Sequence, residues 1–201
     1  MFLILSITKK MNKNIITGIE KHTGYNTGGI SNIFLLDIRS FIAYRFTDDM
    51  LFDECFVESV RISDYNYMEV ETIESSKFQE SMDNGIYKQQ LTTFVRKLEA
   101  AKTSNLLKTN TTKYLVMFKT YDNKYFCFGS DGGATVSFSQ ISGEIGGSSG
   151  YNLTINKSSV YPLFQINFNN RIIESLLTTE NNQLITTEDN YFIPILELWK
   201  K

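Results

Sequence analysis

The feature that most constrains this chain is the period of its apolar residues, which is two along most of its length and helical in one stretch only. Phe34, Leu36, Ile38, Ile42, Tyr44 and Phe46 share one parity, with Asp37, Arg39 and Arg45 on the other. Alternation of that kind sets one face of a strand on a core and the other in solvent or against a partner. A second extended stretch covers 56–70, with Val60 and Ile62 in phase and Tyr65 and Tyr67 on the opposite parity. The change of phase predicts a bulge or turn near Ser63-Asp64. Tyr87, Leu91 and Val95 alternate with Lys88, Gln90 and Arg96, which predicts a strand over 85–97.

The run Tyr114-Leu115-Val116-Met117-Phe118 is apolar on both parities and so predicts a central strand. Tyr121-Asp122-Asn123-Lys124 supplies turn formers, after which 125–128 pairs back as a hairpin. The glycines of 129–133 turn the chain into 134–141, and a Gly/Ser loop over 142–150 leads into a strand over 151–156. Only 98–108 reads as helix, favoured by Leu98, Ala100 and Ala101, with Ala100, Thr103 and Leu107 on one face. Many short strands with one helix predict a mainly β fold: a β-barrel or two packed antiparallel sheets with one short flanking helix.

Three segments are expected. Residues 1–32 read as a polar, Gly-rich N-terminal arm, with 1–10 as an over-extended reading frame and Met11 the start. The apolar opening run does not suit a signal peptide, because its charges, Lys9 and Lys10, follow the run instead of preceding it. Residues 33–170 form the barrel or sandwich domain. Residues 171–201 form a small C-terminal β-meander, in which Leu177-Thr178-Thr179-Glu180-Asn181-Asn182 is echoed by Ile185-Thr186-Thr187-Glu188-Asp189-Asn190.

Charge and motif content narrow the function. Twenty Lys and Arg are scattered among 22 Asp and Glu over 201 residues, so no basic stripe is available to track a phosphate backbone. No stretch approaches the roughly 20 apolar residues of a spanning helix. Specific nucleic-acid binding and membrane insertion are therefore not expected. Cys55 and Cys127 are too few and too far apart for a disulfide framework or a zinc site.

Gly146-Gly147-Ser148-Ser149-Gly150 matches the G-x-S-x-G pattern of a nucleophile elbow. That elbow needs a strand before it, a helix after it and a later histidine. Here a strand pattern follows, and the only histidine, His22, comes first, so the segment reads as a hairpin loop. His22 alone builds neither a metal site nor an acid–base pair. The acidic cluster Asp48, Asp49, Asp53 and Glu54 lacks the alternating order of a calcium loop. The expectation is a protein that acts by binding and assembly, with no catalytic residues, no cofactor and no metal. The candidate subunit interface comprises Asp37, Arg39, Arg45, Tyr65, Tyr67, Tyr121, Gly143, Gly146, Gly147 and Gly150. An attachment module of β-sandwich type that binds surface glycans is the alternative.

From Phe78 to Tyr161 the order of features resembles a group of small tail-associated structural proteins of tailed bacteriophages, especially those infecting Bacteroidota. The features are Phe78-Gln79-Glu80-Ser81, Gly85-Ile86-Tyr87-Lys88-Gln89-Gln90, a helix with Leu106-Leu107, and the strand 114–118. Asp122-Asn123-Lys124-Tyr125, Gly129, Ser142-Gly143 and Gly150-Tyr151-Asn152-Leu153-Thr154 follow, and Gly28-Gly29-Ile30-Ser31-Asn32-Ile33-Phe34-Leu35 resembles the family's opening strand. The resemblance implies a tail-tube-like fold and a homo-oligomeric ring, usually of six subunits. It also implies neighbouring tail proteins as partners and a place in the virion after assembly in the host bacterial cytoplasm. The C-terminal meander departs from a minimal tube subunit.

Overall fold

The computed structural model describes residues 28–46, 55–64, 67–71, 76–167, 172–176 and 194–198. Most of the expected N-terminal arm, the acidic cluster, Tyr65 and most of the C-terminal repeat lie outside the described residues. Among the described residues the fold is mainly β, with three open sheets and one α-helix. No sheet closes into a barrel, so packed sheets are the form the protein adopts.

In chain order the strands are β1 (Ile30–Asp37), β2 (Phe41–Arg45), β3 (Phe56–Val57), β4 (Ser59–Ile62), β5 (Tyr67–Glu71), β6 (Lys77–Asp83) and β7 (Ile86–Arg96). Helix α1 (Ala100–Thr109) comes next, then β8 (Tyr114–Thr120), β9 (Tyr125–Phe128), β10 (Thr135–Ser142), β11 (Ser149–Ser159) and β12 (Phe164–Ile166). Strands β13 (Ile172–Leu176) and β14 (Pro194–Leu198) complete the set. A six-stranded sheet, β3-β12-β9-β8-β1-β5, lies at the centre of the packing. A four-stranded sheet, β10-β11-β7-β6, packs on one of its faces, and another, β14-β13-β4-β2, packs on the other.

This layering explains the most apolar stretches. In β8, Val116 and Phe118 enter one core with Leu91, Leu153 and Ile155, while Leu115 and Met117 enter the second with Val60 and Ile62. Strand β1 lies antiparallel beside β8 and divides in the same way: Ile33 and Leu35 face the first core, Phe34 and Leu36 the second. A sheet covered on both faces needs apolar residues on both parities. The expectation of a single alternating strand from Phe34 to Phe46 is therefore corrected. A 3-10 turn over Ile38–Ser40 ends β1, and the chain leaves the central sheet to start β2 in another. An irregularity in the β2–β4 register between Phe41 and Ala43 leaves Ile42 45% exposed, whereas Ile38, Tyr44 and Phe46 keep the expected parity and pack in the second core with Phe34 and Leu36.

The turn expected at Ser63-Asp64 lies between β4 and β5, the hairpins after β8 and β10 form where their turn residues stand, and the glycine turn after β9 carries the chain into another sheet. Strand β6 adds a hairpin through Asn84-Gly85, where both residues have positive φ (50° and 78°). Asn-Gly tolerates that geometry best, and it is the turn whose twist matches two antiparallel strands. The helix forms about where expected but with another face inward. Leu106 and Thr109 are buried, whereas Leu107 is 56% exposed. At the C-terminal end, β13 pairs in parallel with β4 through Ile172↔Arg61 and Ile173↔Ile62, and β14 pairs antiparallel with β13.

Candidate functional site

The sheet β10-β11-β7-β6 carries the surface features best suited to recognition. One of its faces is in the core. The opposite face is built from rows that its register sets side by side: Ser137–Thr154–Thr92–Lys77 and Thr135–Asn156–Gln90–Gln79. Apart from Lys77 at the β6 edge these are uncharged hydroxyls and amides, and Gln90 Nε2 donates to Asn156 Oδ1 across the sheet at 3.0 Å. The two edges of this sheet differ. Edge strand β6 carries Lys77, Glu80 and Asp83, charges that discourage pairing with another chain. Edge strand β10, Thr-Val-Ser-Phe-Ser-Gln-Ile-Ser, has no charge and no proline over eight residues and, among the described residues, pairs with β11 alone.

Strands β10 and β11 run on into a hairpin that closes at Ser142↔Ser149. Within the loop, Gly143 N–H donates to the Ser148 carbonyl (3.1 Å) and Gly147 N–H to that of Glu144 (2.7 Å). This leaves Ile145 fully exposed at the tip. Of the candidate glycines, Gly143, Gly146 and Gly147 form this tip, and Gly150 belongs to its base. Gly150 is buried, and a Cβ there would lie 2.2 Å from the Val95 carbonyl oxygen and 2.9 Å from the Phe94 ring. It serves close packing of β11 on β7 and is not itself a surface contact.

Ser148 stands between two strands, without the strand-to-helix turn that exposes a nucleophile. Ser148→Ala is expected to change stability by no more than about 0.5 kcal/mol, as for surface sites without a special role. Fluorophosphonate labelling of the wild type that vanished in this variant would contradict the assembly reading.

Beside the hairpin base, a cleft of about 500 Å³ opens between α1, β5 and β7. Its floor is apolar, with Met68, Val70, Val95, Leu106 and Leu153, and Arg96, Lys97 and Lys102 stand at its rim. Glu99 pairs with both Lys97 and Lys102, which hold its carboxyl below the usual range. Lys102 also donates to the Arg96 carbonyl at 2.9 Å. The helix wall of this cleft is pinned by a buried hydroxyl. Glu99, at the N-cap, provides no side-chain cap. Tyr151 OH accepts from the Glu99 N–H (3.1 Å) and lies within donating reach of the Glu99 carbonyl (3.0 Å) and of Thr103 Oγ1 (2.7 Å).

The remaining candidates are dispersed. Asp37 and Arg39 form a forked ion pair at the end of β1, which keeps the Asp37 carboxyl below its ordinary value. Tyr67 shares a neighbouring cleft with Asp37 and Lys108 toward the C-terminal end of α1. It is a packed residue more than a free surface one, its ring meeting Phe34 edge-on at 5.5 Å. Tyr121 lies at the opposite end of β8, half exposed, its ring over Gly29. Arg45 is exposed on β2, in a different sheet, and Tyr65 lies outside the described residues. Sequence reasoning missed Ile145 and the cleft. An isoleucine flanked by Glu144 and Gly146-Gly147 was the legible signal for the first, while the second joins residues distant in sequence.

Among the described residues no three His, Cys, Asp or Glu side chains gather as metal ligands, and no helix is long and apolar enough to cross a membrane. Burial pushes the Cys127 thiol up to about 12, against a contact with the Tyr44 hydroxyl that lowers it. A thiol held protonated in this way is a poor nucleophile. No family model matches this chain, and no curated protein and no solved structure matches it.

Proposed function

We propose that this protein is a structural subunit of a bacteriophage tail, in the tube or the tail tip, that assembles with copies of itself through β-edge and loop contacts. The observation that carries the reading is β10: an uncharged eight-residue edge strand that runs directly into a protruding hairpin. Natural sheets usually blunt such an edge with charge, proline or a covering element, because its free N–H and C=O groups template pairing with another chain. An edge without charge or proline on one side of a sheet whose other edge is charged suits a directional contact between subunits. The resemblance supports the same reading, since the features from Phe78 to Tyr161 that carry it include all four strands of this sheet, together with α1, β8 and β9. Homo-oligomeric rings, neighbouring tail proteins as partners and a virion location follow from the reading, and catalysis has no part in it.

Sedimentation velocity and mass photometry over a concentration series are expected to show oligomers or tubes. Ser137→Lys/Ser139→Lys places two cations on the β10 edge, where both serines are exposed, and is expected to weaken association by about tenfold or more. A wild-type protein that stays monomeric at high concentration would overturn the proposal.

The second reading, attachment to surface glycans, draws on the hydroxyl and amide rows of the same sheet. Sugar recognition also favours aromatic platforms. On this face the half-buried Phe94 ring lies against Gly150. Binding to a glycan array by a monomeric wild type would favour this reading over assembly.

A further inference from the structure

Where β2 meets the chain between β11 and β12, aromatic rings line a cavity of about 290 Å³. Phe41, Tyr44 and Phe46 come from β2 and its end, Tyr161 from the link before β12, and Phe164 from β12 itself. Phe164 is buried and Tyr161 is 40% exposed, so the set reaches from the core to the surface. Neighbouring rings meet at steep angles: 63° for Phe41 and Tyr44, 79° for Tyr44 and Phe46, and 59° for Tyr44 and Phe164. Tyr161 and Phe164 meet at 48°, their centroids 6.4 Å apart. Rings inclined in this way form the walls of a box and not one flat platform. Polar groups are few. Among the described residues none that lines the cavity is charged, and Ser130 alone adds a hydroxyl to those of Tyr44 and Tyr161. The Tyr44 hydroxyl is fixed by a bond to Ser130 and accepts from Cys127 Sγ at 3.2 Å. Burial pushes its pKa well above the ordinary value, so it brings no phenolate charge to the cavity.

We infer that this cavity is an aromatic cage for a quaternary ammonium group, such as the trimethylammonium end of choline. The electron-rich faces of aromatic rings attract a cation, and a methylated ammonium with no N–H to hydrate leaves water easily. A primary ammonium is strongly hydrated and needs a carboxylate to replace that water. Here the charge of Asp131 reaches the Tyr44 hydroxyl, but Asp131 is already paired with Lys157 at 3.1 Å. A sugar needs a flat ring to stack on and several hydrogen-bond partners, and the box offers inclined rings and few hydroxyls. An anion is repelled by the same ring faces. The volume lies at the low end for ligand sites, which suits a compact headgroup. No residue of β10 lines the cavity, so the inference does not depend on the assembly reading.

Ligand-observed NMR titration of the full chain with choline chloride tests this and is expected to show saturable binding. The uncharged analogue with a tert-butyl group in place of trimethylammonium fills the same space without the cation, and is expected to bind about tenfold more weakly. Tyr161→Leu keeps apolar bulk at the surface end of the cavity but removes a ring, and is expected to weaken choline binding by about tenfold. The backbone bonds of Tyr161 to Ser159 Oγ and Gln89 Nε2 survive that change, and an unaltered thermal transition checks that the fold does too. Tyr161→Trp, which restores a ring, is expected to recover the affinity. Flotation with phosphatidylcholine vesicles, against phosphatidylglycerol vesicles, separates the sources of the group. Flotation suppressed by choline assigns a lipid headgroup, and choline binding without flotation assigns a soluble compound; both uphold the cage. Equal affinity for the uncharged analogue would overturn it and leave an apolar cavity. So would choline binding that does not saturate, or that Tyr161→Leu leaves unchanged.

Discussion

Phe128→Ala is expected to lower the unfolding free energy by about 3–5 kcal/mol, the usual cost of removing a large aromatic side chain from a packed core. Phe128 closes β9 with 1% of its surface exposed. Its ring lies 5.4 Å from Phe78 on β6 and 6.5 Å from Phe118 on β8, so it spans the layer between the central sheet and the hairpin sheet. Urea unfolding at one protein concentration measures the change, because assembly itself adds concentration-dependent stability. The exposed Leu107→Ala serves as comparison and is expected to stay within about 0.5 kcal/mol. A loss at Phe128 no larger than that of Leu107 would mean that the two sheets do not share this core.

Lys157→Met is expected to cost about 3 kcal/mol by leaving a mostly buried carboxylate without its cation. The side chains of Lys157 and Asp131 are only 12% and 19% exposed, with Nζ 3.1 Å from Asp131 Oδ1. Lys157 also donates to the Asp131 backbone carbonyl at 2.7 Å, and Asp131 Oδ2 accepts from Val160 N–H at 3.2 Å. Together these bonds tie the glycine turn after β9 to the end of β11. Lys157→Met/Asp131→Asn removes the stranded charge while keeping an acceptor for Val160, and is expected to recover much of the loss. Thermal and urea unfolding of both variants check the pair. A double variant as unstable as the single one would show that the lysine acts through its backbone bond and not through charge.

Legibility varied with how local each feature is. The strand 114–118 was readable because apolar residues on both parities leave few alternatives to a strand covered on both faces. The turns at Asp122-Asn123, Gly129–Gly133 and Gly143–Ser148 were readable because their residue types decide backbone conformation where they stand. Asn84-Gly85 carried an equally strong signal that the reading passed over, and β6 went unassigned with it. The alternation from Phe34 to Phe46 named residues of one core but misled on continuity, since a three-residue 3-10 turn carries the chain into another sheet and an irregularity between Phe41 and Ala43 turns Ile42 out. The helix was found but turned, because a ten-residue helix with few apolar side chains has only a weak preference for one face. The site was legible in part: its glycines mark the hairpin, while the cleft depends on residues from β5, β7, α1 and β11.

By itself the sequence determined the class of fold, the central strand, one helix and a glycine-rich hairpin, since each follows from propensity, periodicity or turn chemistry within about ten residues. Only the tertiary structure decided which strands are neighbours. Strand β12 is three residues long and pairs in parallel with β3 through Gln165↔Phe56, a contact across more than a hundred residues that no local pattern encodes. The three-sheet layering, the edge position of β10 and the cleft under α1 follow from those pairings. Burial of both faces of one sheet is a property of what packs against it, and the free energy that selects such packing is summed over the whole chain.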